Sequence, residues 1–447
     1  MSNLESIFGE YFALLNNNTS SSLVKSESSG STTLAESTES IALGPQEEFI
    51  LQSKIRPYFG KNGINCSPIG THPDFISLES SGSTQKHYAC TLFVDIKGST
   101  RLSLLYPLEF IFNFKNAVIR TCIETIRTFD GHVHRLMGDA VMAFFGGSST
   151  EKEDAIADAI NCAITLRALL EESIKPWMNE QGLDAKDFGF RIGCDFGNDT
   201  EVLWGSFGYR NVGEVSATGL PVDMASKLQG LARKNETMLG QGLLDFVNWP
   251  EEYSNIKTRE KNGVTEELKI VTPNITHSDN KPLNYRMRQL SYLNCLKFSA
   301  LPIDLRERVN GSQVKSNSNI EYKCFSIVDE EKKEYISSSK FLDKNTSLVF
   351  EVQAQTANRL AFPLKVCFTK TNHGPETPVE ERDIEQKQPI RYLKKKRLNK
   401  YSHAIAPLSK IDFEEATLYR GLHTMRCEVY DNNGLLLFRD WIGVMIK

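Results

Sequence analysis

The chain has 447 residues, 24% charged and 40% apolar, with 52 Lys+Arg against 56 Asp+Glu and a net charge of -4. That length is too great for one ordinary core and predicts two or three domains. The near balance of charge excludes a chain built wholesale for nucleic acid or membrane, so neither partner is expected. Nine cysteines, odd in number and without C-x-x-C spacing, exclude a disulfide framework and a zinc site and fit a reducing cytoplasm. Met1-Ser2-Asn3-Leu4-Glu5 carries no basic region before an apolar stretch, and no window reaches the ~20 apolar residues that span a bilayer.

Residues 1–85 read as an amino-terminal extension. A short amphipathic helix over 1–18 would use Ile7, Tyr11, Leu14 and Leu15, a Ser/Thr/Asn-rich linker covers 16–40, and a second short element spans 47–59. Over 86–273 strands alternate with amphipathic helices, the pattern of an α/β (α+β) layer. Residues 88–95 form a buried strand. Pro107 then opens a helix whose Ile111, Phe114, Val118, Cys122 and Ile126 share one face. The apolar runs 132–137 and 140–145 flank Gly138-Asp139 and predict an antiparallel hairpin. Thr150-x-x-Glu153 reads as a capping box for a helix with Ala155, Ile156, Ala159, Ile160, Ala163 and Leu166 inward. A strand at 188–195 and a helix at 222–231 follow. Residues 274–288 are a polar linker, and 289–447 a β-rich domain of alternating runs. Its basic run Arg391-Tyr392-Leu393-Lys394-Lys395-Lys396-Arg397-Leu398-Asn399-Lys400 reads as a solvated edge kept from aggregating by its lysines.

Asp95 ends the first apolar strand and Asp139 sits in the hairpin turn. An aspartate beside glycine is common for turn geometry alone. One that closes an apolar strand is costly to bury without a cation or hydrogen-bond donors. Brought together, two such carboxylates suit two hard divalent cations, Mg2+ or Mn2+, shared with substrate phosphates. The following Gly98-Ser99-Thr100 offers backbone N-H groups to a triphosphate, with Lys97 and Arg101 adding positive charge.

Residues 88 to 235 resemble the catalytic domain of class III nucleotidyl cyclases. The matching text is Phe93-Val94-Asp95-Ile96-Lys97-Gly98-Ser99-Thr100, Arg135-Leu136-Met137-Gly138-Asp139-Ala140, Arg191-Ile192-Gly193 and Gly219-Leu220-Pro221-Val222-Asp223-Met224-Ala225-Ser226-Lys227-Leu228, in the family's order. The resemblance implies a βαββαβ core in a head-to-tail homodimer with shared active sites. Asp95, Asp139 and the Ile96 carbonyl would hold two metals, and the ribose 3'-hydroxyl would attack the α-phosphate and expel pyrophosphate.

Two family positions are altered. The base-reading lysine is Arg135, whose planar fork presents paired donors in place of a point charge, and its companion position is Ser216. The helix positions for ribose and α-phosphate hold Asp223 and Lys227, which are spaced to form a surface ion pair instead. These changes, with Ala416-Thr417-Leu418-Tyr419-Arg420-Gly421-Leu422-His423 and Trp441-Ile442-Gly443-Val444 similar to the adenylyl/guanylyl and SMODS sensor domain, resemble the Pycsar antiphage cyclases. That likeness implies UTP as substrate, cyclic UMP as a messenger opening a separate cyclic-nucleotide-gated effector, and CTP as the alternative. A purine cyclase and a catalytically degenerate nucleotide-binding module are the other readings. The absence of G-x-x-x-x-G-K-[ST] excludes a P-loop enzyme.

Overall fold

The computed structural model describes residues 4–13, 49–209, 212–355, 360–395 and 408–447. The expected linker at 16–40, the side chains of Leu14 and Leu15, and residues 396–400 of the basic run lie outside these segments.

A helix over residues 7–13 buries Ile7, Phe8 and Tyr11. The Phe8 ring lies 5.2 Å from that of Trp177 and 6.1 Å from that of Phe114, so the extension is packed on the layer that follows it. The strands there are β1 (Thr84–Lys86), β2 (Ala89–Lys97), β3 (His132–Met137), β4 (Ala140–Phe145), β5 (Gly189–Gly197), β6 (Leu203–Tyr209), β7 (Val212–Thr218), β8 (Glu236–Gly240), β9 (Ser254–Asn255), β10 (Lys257–Lys261), β11 (Val264–Leu268) and β12 (Met287–Leu290). Seven of them form a sheet in the order β3-β4-β2-β5-β8-β12-β9, antiparallel except for β5 beside β8. With helices Leu108–Thr128 and Lys152–Leu169 between them, β2 to β5 give the βαββαβ order expected from the sequence.

Alternation along β2 assigns its two faces. Cys90, Leu92, Val94 and Ile96 enter the large core with the two long helices, while Ala89 and Phe93 pack with Trp204 and Val215 of the β1-β6-β7 flap and with Val222 and Ala225 of helix Leu220–Leu231. That last helix crosses β5 so closely that a Cβ on Gly193 would lie 2.2 Å from the Ala225 carbonyl oxygen. This close approach is the physical content of the glycine in Arg191-Ile192-Gly193.

Three local expectations differ from the structure. Pro107 stands one residue before its helix, with ψ 146. The capping box is not formed; helix Lys152–Leu169 starts after Glu151 rather than Thr150, without a side-chain cap, and the Glu153 carboxylate accepts at 3.2 Å from Arg420 of the carboxy-terminal region. Met287–Leu290, which straddles the expected end of the linker at 288 and start of the β-rich domain at 289, buries Met287 and Leu290 and joins the central sheet as β12.

The carboxy-terminal strands are β13 (Ile320–Val328), β14 (Glu331–Tyr335), β15 (Phe341–Leu342), β16 (Ser347–Gln355), β17 (Leu364–Thr371), β18 (Glu385–Lys387), β19 (Arg391–Leu393), β20 (Leu408–Ala416), β21 (Gly421–Tyr430) and β22 (Leu436–Ile446). They form one sheet of order β14-β13-β16-β20 and another of order β15-β22-β21-β17-β18, with β19 also pairing β17. The two share one apolar core, including Phe350, Phe368 and Phe413, as a β-sandwich. Arg391, at the start of the basic run, is an exposed residue of β19 whose guanidinium lies over the Phe413 ring.

The sandwich is docked on the catalytic layer. Helix Lys152–Leu169 is buried on nearly every side rather than along one inner stripe. Its Asn161 donates to the Ser338 carbonyl at 2.8 Å, and its Asp154 accepts from the Phe341 N-H at 2.7 Å. Phe341, Leu422 and Met445 belong to the same apolar cluster as the β2 core.

Candidate active site

β2 pairs with β4 so that Asp95 lies opposite Ala140, which puts Asp139, one residue earlier in the β3-β4 turn, diagonally beside Asp95 near one end of these strands. Gly138, at φ +66, supplies the left-handed residue of this tight turn. Asp95 is 9% exposed and accepts from Arg191, its neighbour on β5, through Nε at 2.8 Å and through Nη2. Asp139 accepts from the Ser99 hydroxyl. Asp95, Ile96, Ser99 and Asp139 are therefore brought together, as expected.

Gly98 has two reasons to be glycine. It adopts φ +88 as it caps helix Ser99–Leu105, and a Cβ there would lie 2.6 Å from the Asp187 carbonyl oxygen. Ser99 is buried and Thr100 exposed on the first turn, where backbone N-H groups have no partner within the helix. Lys97 is exposed beside them, but Arg101 is turned away to Asp184, with Nη2 at 2.6 Å, and so does not serve the loop as expected.

Arg135 and Ser216, the residues expected to read the base, lie in a second cluster. The register of β3 on β4 slips between Val133 and Arg135, a bulge that re-aims the strand. Arg135 there donates through Nε at 3.2 Å to Glu214 of β7, with His134 of β3 3.9 Å from the same carboxylate. Burial holds the His134 imidazole below its usual range, so it stands there neutral. Ser216, two residues beyond Glu214 and on the same strand face, is buried and pairs with Gly205 of β6. Glu214 was missed in the sequence; only the flap's fold puts it against Arg135.

Asp223 and Lys227 are exposed on helix Leu220–Leu231. The ion pair that their spacing allows is not made, and neither side chain has a hydrogen-bond or ionic partner among the described residues. Among the described residues no hydrogen bond or ion pair links the Asp95/Asp139 cluster to the Arg135/Glu214 cluster.

Oxygen donors fit hard divalent cations. Two carboxylates at adjacent strand ends, with the Ile96 carbonyl between them in sequence, are such a set, and their present partners, a guanidinium and a hydroxyl, are ones that cations can replace. Among the described residues no group of three or more His, Cys, Asp or Glu gathers, so a complete shell would need substrate oxygens. No helix of the described residues is long and apolar enough to cross a membrane.

The adenylyl/guanylyl and SMODS C-terminal sensor domain matches residues 304–447. A cytidylate cyclase of Escherichia coli is 43% identical over 418 residues, 92% of this chain and 90% of that protein. A cytidylate cyclase of Staphylococcus aureus is 33% identical, over 88% of this chain and 87% of that one. A uridylate cyclase of Burkholderia cepacia is 24% identical over 40% of this chain and 74% of its own length. Likeness across catalytic layer and sandwich together places this chain in the class III nucleotidyl cyclase family, in the branch represented by the cytidylate cyclases.

Proposed function

We propose that the protein converts CTP to 3',5'-cyclic CMP and pyrophosphate, as a second messenger of antiphage defence acting on a separate cyclic-nucleotide-gated effector. The observation that carries the choice of base is the 43% identity to a cytidylate cyclase along nearly the whole chain. UTP, the first expectation, becomes the second reading, and Glu214 supports that order. Arg135 is donor only and Glu214 acceptor only, and they stand side by side. Cytosine offers acceptors at O2 and N3 and an amino donor at N4, which matches that pair, whereas uracil sets the O4 acceptor against the Glu214 carboxylate.

The catalytic roles follow from the two clusters. Asp95, Asp139 and the Ile96 carbonyl would hold two Mg2+ or Mn2+ ions, which when bound supply the positive charge that eases 3'-hydroxyl attack and pyrophosphate departure. The Gly98-Ser99-Thr100 N-H groups orient the triphosphate. Arg135, Glu214 and Ser216 read the base. Lys227 meets phosphate charge, and Asp223, on the same helical face, takes a ribose hydroxyl. The family resemblance supports a homodimer in which each site takes its carboxylates from one protomer and its base-reading residues from the other. Catalysis is then mainly alignment and charge stabilisation.

Incubating the full chain with each of the four NTPs and Mn2+, and resolving the products, tests this. Cyclic CMP as the main product, lost in Asp139→Ala, is expected. Cyclic UMP instead returns the reading to UTP, a cyclic purine overturns the pyrimidine assignment, and no product from any NTP favours a nucleotide-binding module.

A further inference from the structure

A cavity of about 200 Å³ opens between the two sheets of the sandwich. Its floor is apolar, from Leu348 and Phe350 of β16, Met425 of β21 and Ile446 of β22. The volume is below the ~300 Å³ where pockets for drug-sized ligands begin, so it admits about one ring system.

Asn372 lines this cavity. It is 7% exposed, yet its carboxamide makes no hydrogen bond to any described residue. With no protein partner, this amide faces the cavity free to pair with whatever enters it. A carboxamide presents a donor and an acceptor in one plane, and its natural complement is a lactam or amidine edge of the kind nucleobases carry. Gln386 adds a second amide to the rim, and its Nε2 donates to Glu381 at 3.3 Å.

The charges select against an anion. Lys370 is neutralised by Glu415 at 3.1 Å, which leaves Glu381 as surplus negative charge on the wall. His423, also on the wall, is held down to about 4 by burial and adds no positive charge near neutral pH. A phosphate would meet repulsion here, whereas an uncharged ring would not.

Two walls of the cavity continue into the catalytic layer. Asn372 precedes His373, which is fully buried, contacts Asp383 at 2.6 Å and meets the Tyr253 hydroxyl at 3.1 Å, one residue before β9 of the central sheet. Tyr419 precedes Arg420, which reaches Glu153 at 3.2 Å and the Phe246 carbonyl at 2.8 Å.

We propose that this cavity is a binding site for an uncharged nucleobase or nucleoside, read by the Asn372 carboxamide and separate from the nucleoside triphosphate site. Its occupant bears on the catalytic layer through His373 and Arg420.

Isothermal titration of the full-length Asp139→Ala protein, with and without saturating CTP, against adenine, guanine, cytosine, uracil, thymine and their nucleosides tests the proposal. At least one should bind with a Kd below about 1 mM whether or not CTP is present. Both Asn372→Leu and Asn372→Asp should weaken that binding at least about tenfold. Because no hydrogen bond is lost, Asn372→Leu should melt no lower than the parent. Absence of binding by every base and nucleoside, competition by CTP, or full-strength binding in both variants would each overturn the assignment, as would a marked fall in the Tm of Asn372→Leu. In the wild-type chain the bound compound should shift kcat for CTP at least about twofold, and Gln386→Leu should diminish that shift.

Discussion

Two charged pairs in this molecule are built to opposite ends. Near one end of β2 and β4, one oxygen of Asp95 receives Arg191, while Asp139, partly exposed, receives only a hydroxyl. At the base of the sandwich, Arg306 makes a two-pronged contact with Asp440, at 2.7 and 3.0 Å, and also donates to the Leu301 and Lys297 carbonyls. Both partners of that second pair are buried. The saturated pair has nothing left to offer a ligand and serves the fold; the sparsely partnered carboxylates keep lone pairs free, as the proposed metal-binding role requires.

The contrast can be broken most forcefully at Asp139. Asp139→Ala should lower cyclase turnover by about a thousandfold or more while moving stability by under about 0.5 kcal/mol, measured by turnover assay and denaturant titration. A comparable loss of stability would make the aspartate structural after all. Arg306→Leu should do the reverse, costing about 3–5 kcal/mol by stranding the Asp440 charge, read as a lower urea midpoint. Restoration by Arg306→Leu/Asp440→Leu would show that the pair is replaceable by apolar packing.

Asp195 sharpens the comparison from a third side. It is fully buried and accepts from the Phe196 and Leu243 N-H groups and from the Tyr285 hydroxyl, yet burial pushes its carboxyl up to about 7. A folded-state value above the unfolded one means stability that is present in acid and lost as pH rises through about 7. Asp195→Asn should therefore flatten the stability profile between about pH 4 and 7, where each pH unit is worth up to about 1.4 kcal/mol. An unchanged slope would show that the three donors outweigh burial. The smallest effect is expected at Glu214. Glu214→Gln gives the base edge an amide that can donate to uracil O4, and should move the CTP/UTP ratio of kcat/KM about tenfold toward UTP.

The sequence made the carboxylate end legible because its signals are local. A buried strand ending in Asp95, a Gly-Asp turn between short apolar runs, and a face of Ile111, Phe114, Val118, Cys122 and Ile126 each depend on a few neighbouring residues, and each was found where expected. The partners were not local. Arg191 is 96 residues from Asp95, and Glu214 is 79 residues from Arg135. Only strand pairing sets the first of these, and only the flap's return across the hairpin sets the second. The expected capping box failed because the helix opens after Glu151, and Glu153 turns to Arg420, 267 residues away. In the sandwich the alternating runs announced strands, but nothing in them specified which would pair or that a cavity would lie between the sheets.

Helix Lys152–Leu169 has a further consequence. An α-helix at the boundary of a free-standing catalytic layer would keep one wet face, and this one has almost none: Ala157, Ile164 and Ala168 are as dry as Ile156 and Leu166. Catalytic layer and sandwich thus share a beam rather than a hinge. Cutting the chain between them would leave a greasy rod in water, so the fragment should aggregate rather than run as a smaller cyclase. By the same architecture, a sub-ångström shift in the sandwich is transmitted to a rod that also braces the back of β2, the strand that carries Asp95.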